Sequence, residues 1–307
     1  MKQLEKNCKV ALIQAAPVLF NKDATIDKVV REILEAGKQG ANLIVFPEAF
    51  VPCYPYGMTF GFTVGGRSEE GRKDWKVYYD NSVIVPSDDT DRIAKAAGEV
   101  HAYVSIGITE RDINNCTLYC TNLFFSPEGK LVGKHRKLKP TGAERFIWGD
   151  GNEGAFPIID TPWGNMGSLI CWENYMPLAR VALYMKGVTL YIAPNTNNNE
   201  EWQTTIRHIA IEGRCYVINV NQYVTKDMYP DIFHCPDEIA KLPDDVLTGG
   251  SCIVDPFGHY VTEPIWDKEE IIYVDIDMEQ VPLSRMEFDA TGHYSRPDVL
   301  ELIIHEN

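Results

Sequence analysis

Short apolar runs alternate along this chain with segments of helical periodicity, and that alternation restricts the fold more than any other feature. Lys9–Ala15 is an apolar run that stops before Pro17. Ile26, Val29, Val30, Ile33 and Leu34 then recur at helical spacing as far as Gly40, and Asn42–Phe46 is apolar again. The pattern repeats, with a helix predicted over Asp91–Val100 and a strand over Tyr103–Thr109. Leu118–Phe125, the turn Pro127-Glu-Gly-Lys130 and Leu131–His135 predict a β-hairpin. Strands are predicted over Ser168–Cys171, Leu190–Ala193, Cys215–Val220, Ser251–Val254 and Ile271–Ile276, and helices over Pro177–Met185 and Glu201–Arg214. Helices between strands, with hairpins mixed in, predict an α/β protein with layered, mixed sheets.

No Pro/Gly/Ser-rich linker interrupts the pattern, so we expect one domain over residues 1–307, with a C-terminal arm from about 288 to 307. Two stretches read as insertions, Tyr54–Tyr79 and Pro230–Leu247. The first is aromatic and glycine-rich, which suits a pocket rim or a subunit contact better than a core. The second is acidic.

The net charge of -15, from 29 basic and 44 acidic residues, argues against nucleic-acid and anionic-membrane partners, which call for basic surfaces. No run approaches the length of a membrane span, and the first residues lack the apolar core of a signal peptide. A cytoplasmic protein is expected. The eight cysteines form no Cys-x-x-Cys pair, so buried thiols are expected rather than disulfides or a zinc site.

Three polar islands stand at the ends of apolar runs. In Asn42-Leu-Ile-Val-Phe-Pro-Glu48 a buried strand delivers a carboxylate, and burial there raises its pKa and suits it to general-base work. In His135-Arg-Lys-Leu-Lys-Pro-Thr141 a hairpin strand delivers Lys137, with Glu144 seven residues on as a second partner. In Met166-Gly-Ser-Leu-Ile-Cys171-Trp-Glu-Asn174 a strand delivers a thiol just before a helix, whose first N–H groups are expected to lower the thiol pKa and to steady an oxyanion. Taken singly, each has a plainer explanation: an inert buried cysteine, a solvated strand-end glutamate, a basic loop, a surface carboxylate for Glu144. Together they suggest covalent chemistry on a carbon–nitrogen bond. The seven histidines offer no motif-like partner for the thiol, which weakens a cysteine-protease reading.

These islands, in this order, resemble the nitrilase superfamily of carbon–nitrogen hydrolases, from Val10 to about Pro297. Cys171-Trp-Glu-Asn-Tyr-Met-Pro-Leu178, Trp148-Gly-Asp-Gly151, Tyr54-Pro-Tyr56 and Gly292-His-Tyr-Ser-Arg-Pro297 resemble its true nitrilase branch. Ala193-Pro-Asn-Thr-Asn-Asn-Asn199 departs from it by being rich in asparagine, in a loop expected to line the pocket. The resemblance implies an αββα sandwich of two mixed β-sheets with flanking helices. It also implies self-association into dimers and larger spirals, and neither metal nor organic cofactor. It makes Cys171 the nucleophile toward an organic nitrile, Glu48 the base, Lys137 the electrostatic partner and Glu144 the residue that holds Lys137. Tyr54, Trp172 and Asn195 are expected at the substrate. The aromatic first insertion suits an aryl or arylaliphatic nitrile. An amidase using the same three groups, and an inactive binding or scaffold member, are the competing readings.

Overall fold

The structure, a computed structural model, describes residues 4–151 and 156–305. The extreme start of the chain and the last two residues of the C-terminal arm lie outside them.

Two mixed sheets of seven strands carry the molecule. The first half of the chain supplies β1 (Asn7–Gln14), β2 (Leu43–Val45), β3 (Val83–Ile84), β4 (Tyr103–Arg111), β5 (Leu118–Ser126) and β6 (Lys130–Arg136). The second supplies β7 (Ile159–Thr161), β8 (Gly164–Ser168), β9 (Val188–Pro194), β10 (Tyr216–Val220), β11 (Tyr223–Thr225), β12 (Asp245–Val254) and β13 (Tyr260–Trp266). β14 (Glu270–Asp277) returns to the first sheet, whose order is β14-β1-β2-β4-β5-β6 with β3 beside β4. The second sheet runs β11-β12-β10-β9-β8-β7, with β13 beside β12. Each centre is parallel, through β1, β2 and β4 in one sheet and β8, β9 and β10 in the other. Hairpin-linked antiparallel strands flank both, as the mixture of helical crossovers and turns predicts.

Side-chain alternation explains the layering. Along β1, Val10 and Leu12 face the other sheet, where they meet Leu190, Ile192 and Ile218. Ala11 and Ile13 face outward and are covered by Ile26, Val29 and Ile33 of α1 (Lys22–Lys38). With both faces buried, the strand reads as an unbroken apolar run. β9 does the same in the second sheet. Leu190 and Ile192 point between the sheets, and Tyr191 and Ala193 point at the outer helices. The result is the expected sandwich of two sheets between helical layers.

The first insertion departs from expectation. It contains α2 (Glu69–Asp80), and Phe60 and Tyr78 are buried with Phe20, Cys53 and Met58 in a cluster that extends to Ile170 and Cys171. Phe60 and Tyr78 are thus core for a lobe beyond the sheet ends, while Tyr54 and Tyr56 at the start of the insertion are only partly buried. α3 (Asp88–Val100), α4 (Pro177–Met185) and α5 (Glu200–Gly213) form where periodicity places them, and β13 was not anticipated. In the C-terminal arm, Leu302 and Ile304 pack beside the outer helices, while Leu300 and Ile303 are exposed. All eight cysteines are free thiols.

Candidate active site

Glu48, Lys137 and Cys171 leave the ends of β2, β6 and β8, on one edge of the sandwich. Close packing sets Glu48 first. Its backbone lies against Gly107 of β4, where an added Cβ would sit 2.3 Å from Pro47 O and 2.7 Å from Glu48 Cα. Only glycine permits that approach. Gln222 Nε2 donates to Glu48 O at 2.7 Å and fixes the same stretch from the second sheet.

The charged groups form a chain. Lys137 Nζ donates to Glu48 Oε1 and to Glu144 Oε2, both at 2.8 Å. Glu144 also accepts from the Tyr54 hydroxyl and from Thr141 N, each at 2.7 Å. Three donors fix the position of this carboxylate. Glu48 receives two weaker donors, Cys120 Sγ at 3.5 Å and Thr196 Oγ1 at 3.4 Å.

Electrostatics follow from burial. Glu48 is fully enclosed, and loss of water pushes its carboxyl above the usual carboxylate range despite the pull of Lys137. Burial opposes charge on Lys137 as well, but Glu48, Cys171, Cys120 and Glu144 together hold its ammonium well above the lysine range. Cys171 corrects the expectation of a lowered thiol pKa. Burial and the negative charge of Glu48 push it up, against Lys137 and a backbone contact from Thr196. The expected cause of lowering is also missing, because α4 starts only at Pro177. A 3₁₀ turn, Cys171–Tyr175, intervenes, and Cys171 itself has φ +53°, a left-handed conformation uncommon for a residue with a side chain.

That turn is tied to the lysine by a residue sequence reasoning passed over. Glu173 accepts from Ile170 N at 2.6 Å, Leu138 N at 2.6 Å and His135 Nε2 at 3.0 Å. One buried carboxylate thus joins the segment carrying the thiol to the segment carrying the ammonium.

A cavity of about 380 Å³ opens above the thiol, lined by Tyr54, Tyr56, Glu144, Cys171, Trp172 and Asn197 among others. Of the three residues expected at the substrate, Tyr54 and Trp172 line this cavity. Asn195 does not. It is fully buried beneath the loop, where its amide donates to Asn219 Oδ1 at 2.6 Å and its Oδ1 accepts from Asn197 N at 2.9 Å. Two residues on, Asn197 Nδ2 reaches Cys171 Sγ at 3.3 Å. The asparagine-rich composition flagged the loop but not which residue faces the cavity. Cys120 gave no signal at all, since a cysteine inside an apolar strand reads as core. Among the described residues no group of His, Cys, Asp and Glu is arranged to hold a metal ion.

A carbon-nitrogen hydrolase family profile matches residues 9–285 of this chain, from β1 through to the end of the second sheet and beyond. The chain belongs to the carbon-nitrogen hydrolase family. It is 46% identical over 299 residues to an aliphatic nitrilase of Sinorhizobium fredii, covering 97% of this chain and 96% of that protein. It is 43% identical over 306 residues to nitrilase 2 of Arabidopsis thaliana, covering 97% and 89%. Among solved structures, Saccharomyces cerevisiae Nit3, a member of branch 10 of the nitrilase superfamily, superimposes with a TM-score of 0.75 at 24% identity, covering 96% of this chain and 99% of that one. At that identity the likeness concerns the fold, and the fold of this carbon-nitrogen hydrolase is that of the superfamily.

Proposed function

We infer that the protein is a nitrilase, which hydrolyses an organic nitrile to a carboxylic acid and ammonia. The observation that carries the reading is the buried chain Glu144–Lys137–Glu48 beside the Cys171 thiol at the base of a cavity, in a chain 46% identical to an aliphatic nitrilase.

The four side chains take roles that their surroundings suit. Both groups hold their protons more tightly than in water, so Cys171 rests as a thiol beside a Glu48 whose ionised form is a stronger base than an ordinary carboxylate. Glu48 takes the thiol proton as sulfur adds to the nitrile carbon, giving a thioimidate. Lys137 and the backbone N–H after Cys171 steady the charge that develops on nitrogen and later on oxygen. Water activated by Glu48 adds, ammonia departs, and a second water releases the acid from the thioester. Glu144 keeps Lys137 in place and reaches the cavity itself. Tyr54 and Trp172 contact the substrate.

We propose further that copies of this chain associate into dimers and larger spirals, and that the protein works in the cytoplasm as one domain. Exposed Met176, Leu178, Met185 and Ile211 on and beside α4 and α5 support the first part. Among the described residues no helix is long and apolar enough to cross a membrane, which accords with the second.

Ammonia release from a panel of aliphatic and aryl nitriles tests the activity. Cys171→Ala is expected to lose it wholly while keeping the wild-type circular dichroism spectrum. Undiminished turnover by that variant would overturn the reading.

A further inference from the structure

Asn197 ends at the nucleophile, with Nδ2 3.3 Å from Cys171 Sγ. The other end of the amide fixes which way round it sits. Trp172 Nε1 lies 2.8 Å from Asn197 Oδ1, and an indole nitrogen can only donate. The oxygen must face Trp172, which leaves the NH₂ group facing sulfur. The backbone of Asn197 is clamped as well. Its N–H donates to Asn195 Oδ1 at 2.9 Å, and its carbonyl accepts from Asn221 Nδ2 at 2.9 Å. Asn195 and Asn221 are both fully buried, so the donor is held on a rigid base.

We propose that Asn197 is a further catalytic residue, its amide N–H stabilising the Cys171 thiolate both as nucleophile and as leaving group, and that Trp172 is the positioning residue that orients the amide. The proposal rests on the nitrilase reading and specifies how the same site divides its products.

The tetrahedral adduct has sulfur, a hydroxyl and an amino group on the former nitrile carbon. If the carbon–nitrogen bond breaks, its electron pair leaves with nitrogen, Lys137 supplies a proton, the hydroxyl proton passes to Glu48, ammonia departs and a thioester remains. If the carbon–sulfur bond breaks, the pair returns to sulfur, the hydroxyl proton passes to Glu48 and the product is an amide. A hydrogen bond to sulfur lowers the energy of the thiolate in both directions of that second bond. It speeds the initial attack, and it raises the share of amide. Asn197 therefore trades some acid for rate.

The test uses Asn197→Ala, Asn197→Asp and Trp172→Phe in the full chain, with two readouts. The first is alkylation of Cys171 by iodoacetamide, followed by mass spectrometry of its peptide as pH is raised, and it needs no nitrile turnover. A hydrogen bond to a charged group is worth about one pH unit on the thiol, and the more basic thiolate is partly more reactive. Asn197→Ala should thus be alkylated about threefold more slowly at neutral pH, with its profile displaced upward. Asn197→Asp, which sets an anion against sulfur, should be displaced further. Trp172→Phe, free to turn its amide partner either way, should be displaced less. The second readout is the amide-to-acid ratio from a nitrile, which should fall in the same order. An Asn197→Ala profile identical to wild type, or a larger amide share, overturns the assignment. A displaced profile in a protein that turns over no nitrile would sink the nitrilase reading and leave the sulfur donor standing.

Discussion

Burial makes the carboxyl of Glu48 and the thiol of Cys171 hold their protons more tightly than either does in water, and the pH dependence of the enzyme follows from that. In the proposed mechanism Glu48 must be ionised to accept the thiol proton, so kcat/KM should rise through a limb above the ordinary glutamate value of about 4.3. Lys137 must stay charged, and its neighbours hold it above the lysine range, so no loss through Lys137 is expected until strongly alkaline pH. An acid limb at the ordinary carboxylate value would contradict this. The same shift has a consequence for stability. A folded-state pKa above the unfolded one contributes stability below the unfolded pKa, and that contribution disappears as pH rises through the folded value. Above that folded value the charged Glu48 is therefore a burden on the fold. Glu48→Gln keeps the shape without the charge. It should be inactive, yet melt no lower than wild type at pH values above the acid limb. Of these residues the sequence disclosed the types and the order, because strand ends beside polar islands are visible in a pattern of apolar runs. It did not disclose the direction of the thiol shift, which depends on how deeply the sulfur sits and on how near Glu48 lies.

Elements meet at the site through buried polar clamps rather than through the charged groups alone. Glu173 bridges the turn after β8 and the segment after β6, accepting from two backbone N–H groups and from His135. An amide in its place has one oxygen for donors that now use two, so a buried N–H loses its partner. Glu173→Gln should lower stability by about 1–3 kcal/mol. It should also reduce kcat more than tenfold, because a small displacement of sulfur against the ammonium is expensive in rate. Thermal melts and ammonia release check both, and wild-type values for both would remove the clamp from the argument. Such links are invisible to periodicity. Glu173 was legible only as a polar neighbour of Cys171, since the partner segments lie 35 and 38 residues away. Strands buried on both faces, such as β1 and β9, were by contrast plain in the sequence, because each is a continuous apolar run closed by a turn residue. The lobe built around Phe60 and Tyr78 was not, because glycines and aromatics without a clear period resemble a surface loop until the burial of Phe60 and Tyr78 is known.

At the scale of the whole molecule, the turn that carries Cys171 leads directly onto the outer surface. Trp172, 48% exposed at the lip of the cavity, packs its ring against Tyr175 at 5.4 Å, and α4 begins two residues later. On α4 and its approach Met176, Leu178 and Met185 remain exposed, with Leu178 at 66% and Met185 at 53%. Ile211 adds to them from α5, which packs beside α4. Single exposed apolar side chains need no explanation, but a set shared by two neighbouring helices suits a contact between copies. The charge of -15 opposes association, so the contact has to be apolar at its centre to overcome it. Leu178→Glu puts a further negative charge there and leaves the core untouched, because this side chain points away from it. The variant should elute and scatter light as a monomer, whereas the proposed association makes the wild type at least a dimer, with an unchanged melting profile at low protein concentration. Its turnover should fall along with assembly, because α4 follows the turn that holds Cys171 and Trp172, and that turn loses its outer support. A Leu178→Glu protein of wild-type size would move the contact to another face, and a monomer of full activity would separate assembly from the site.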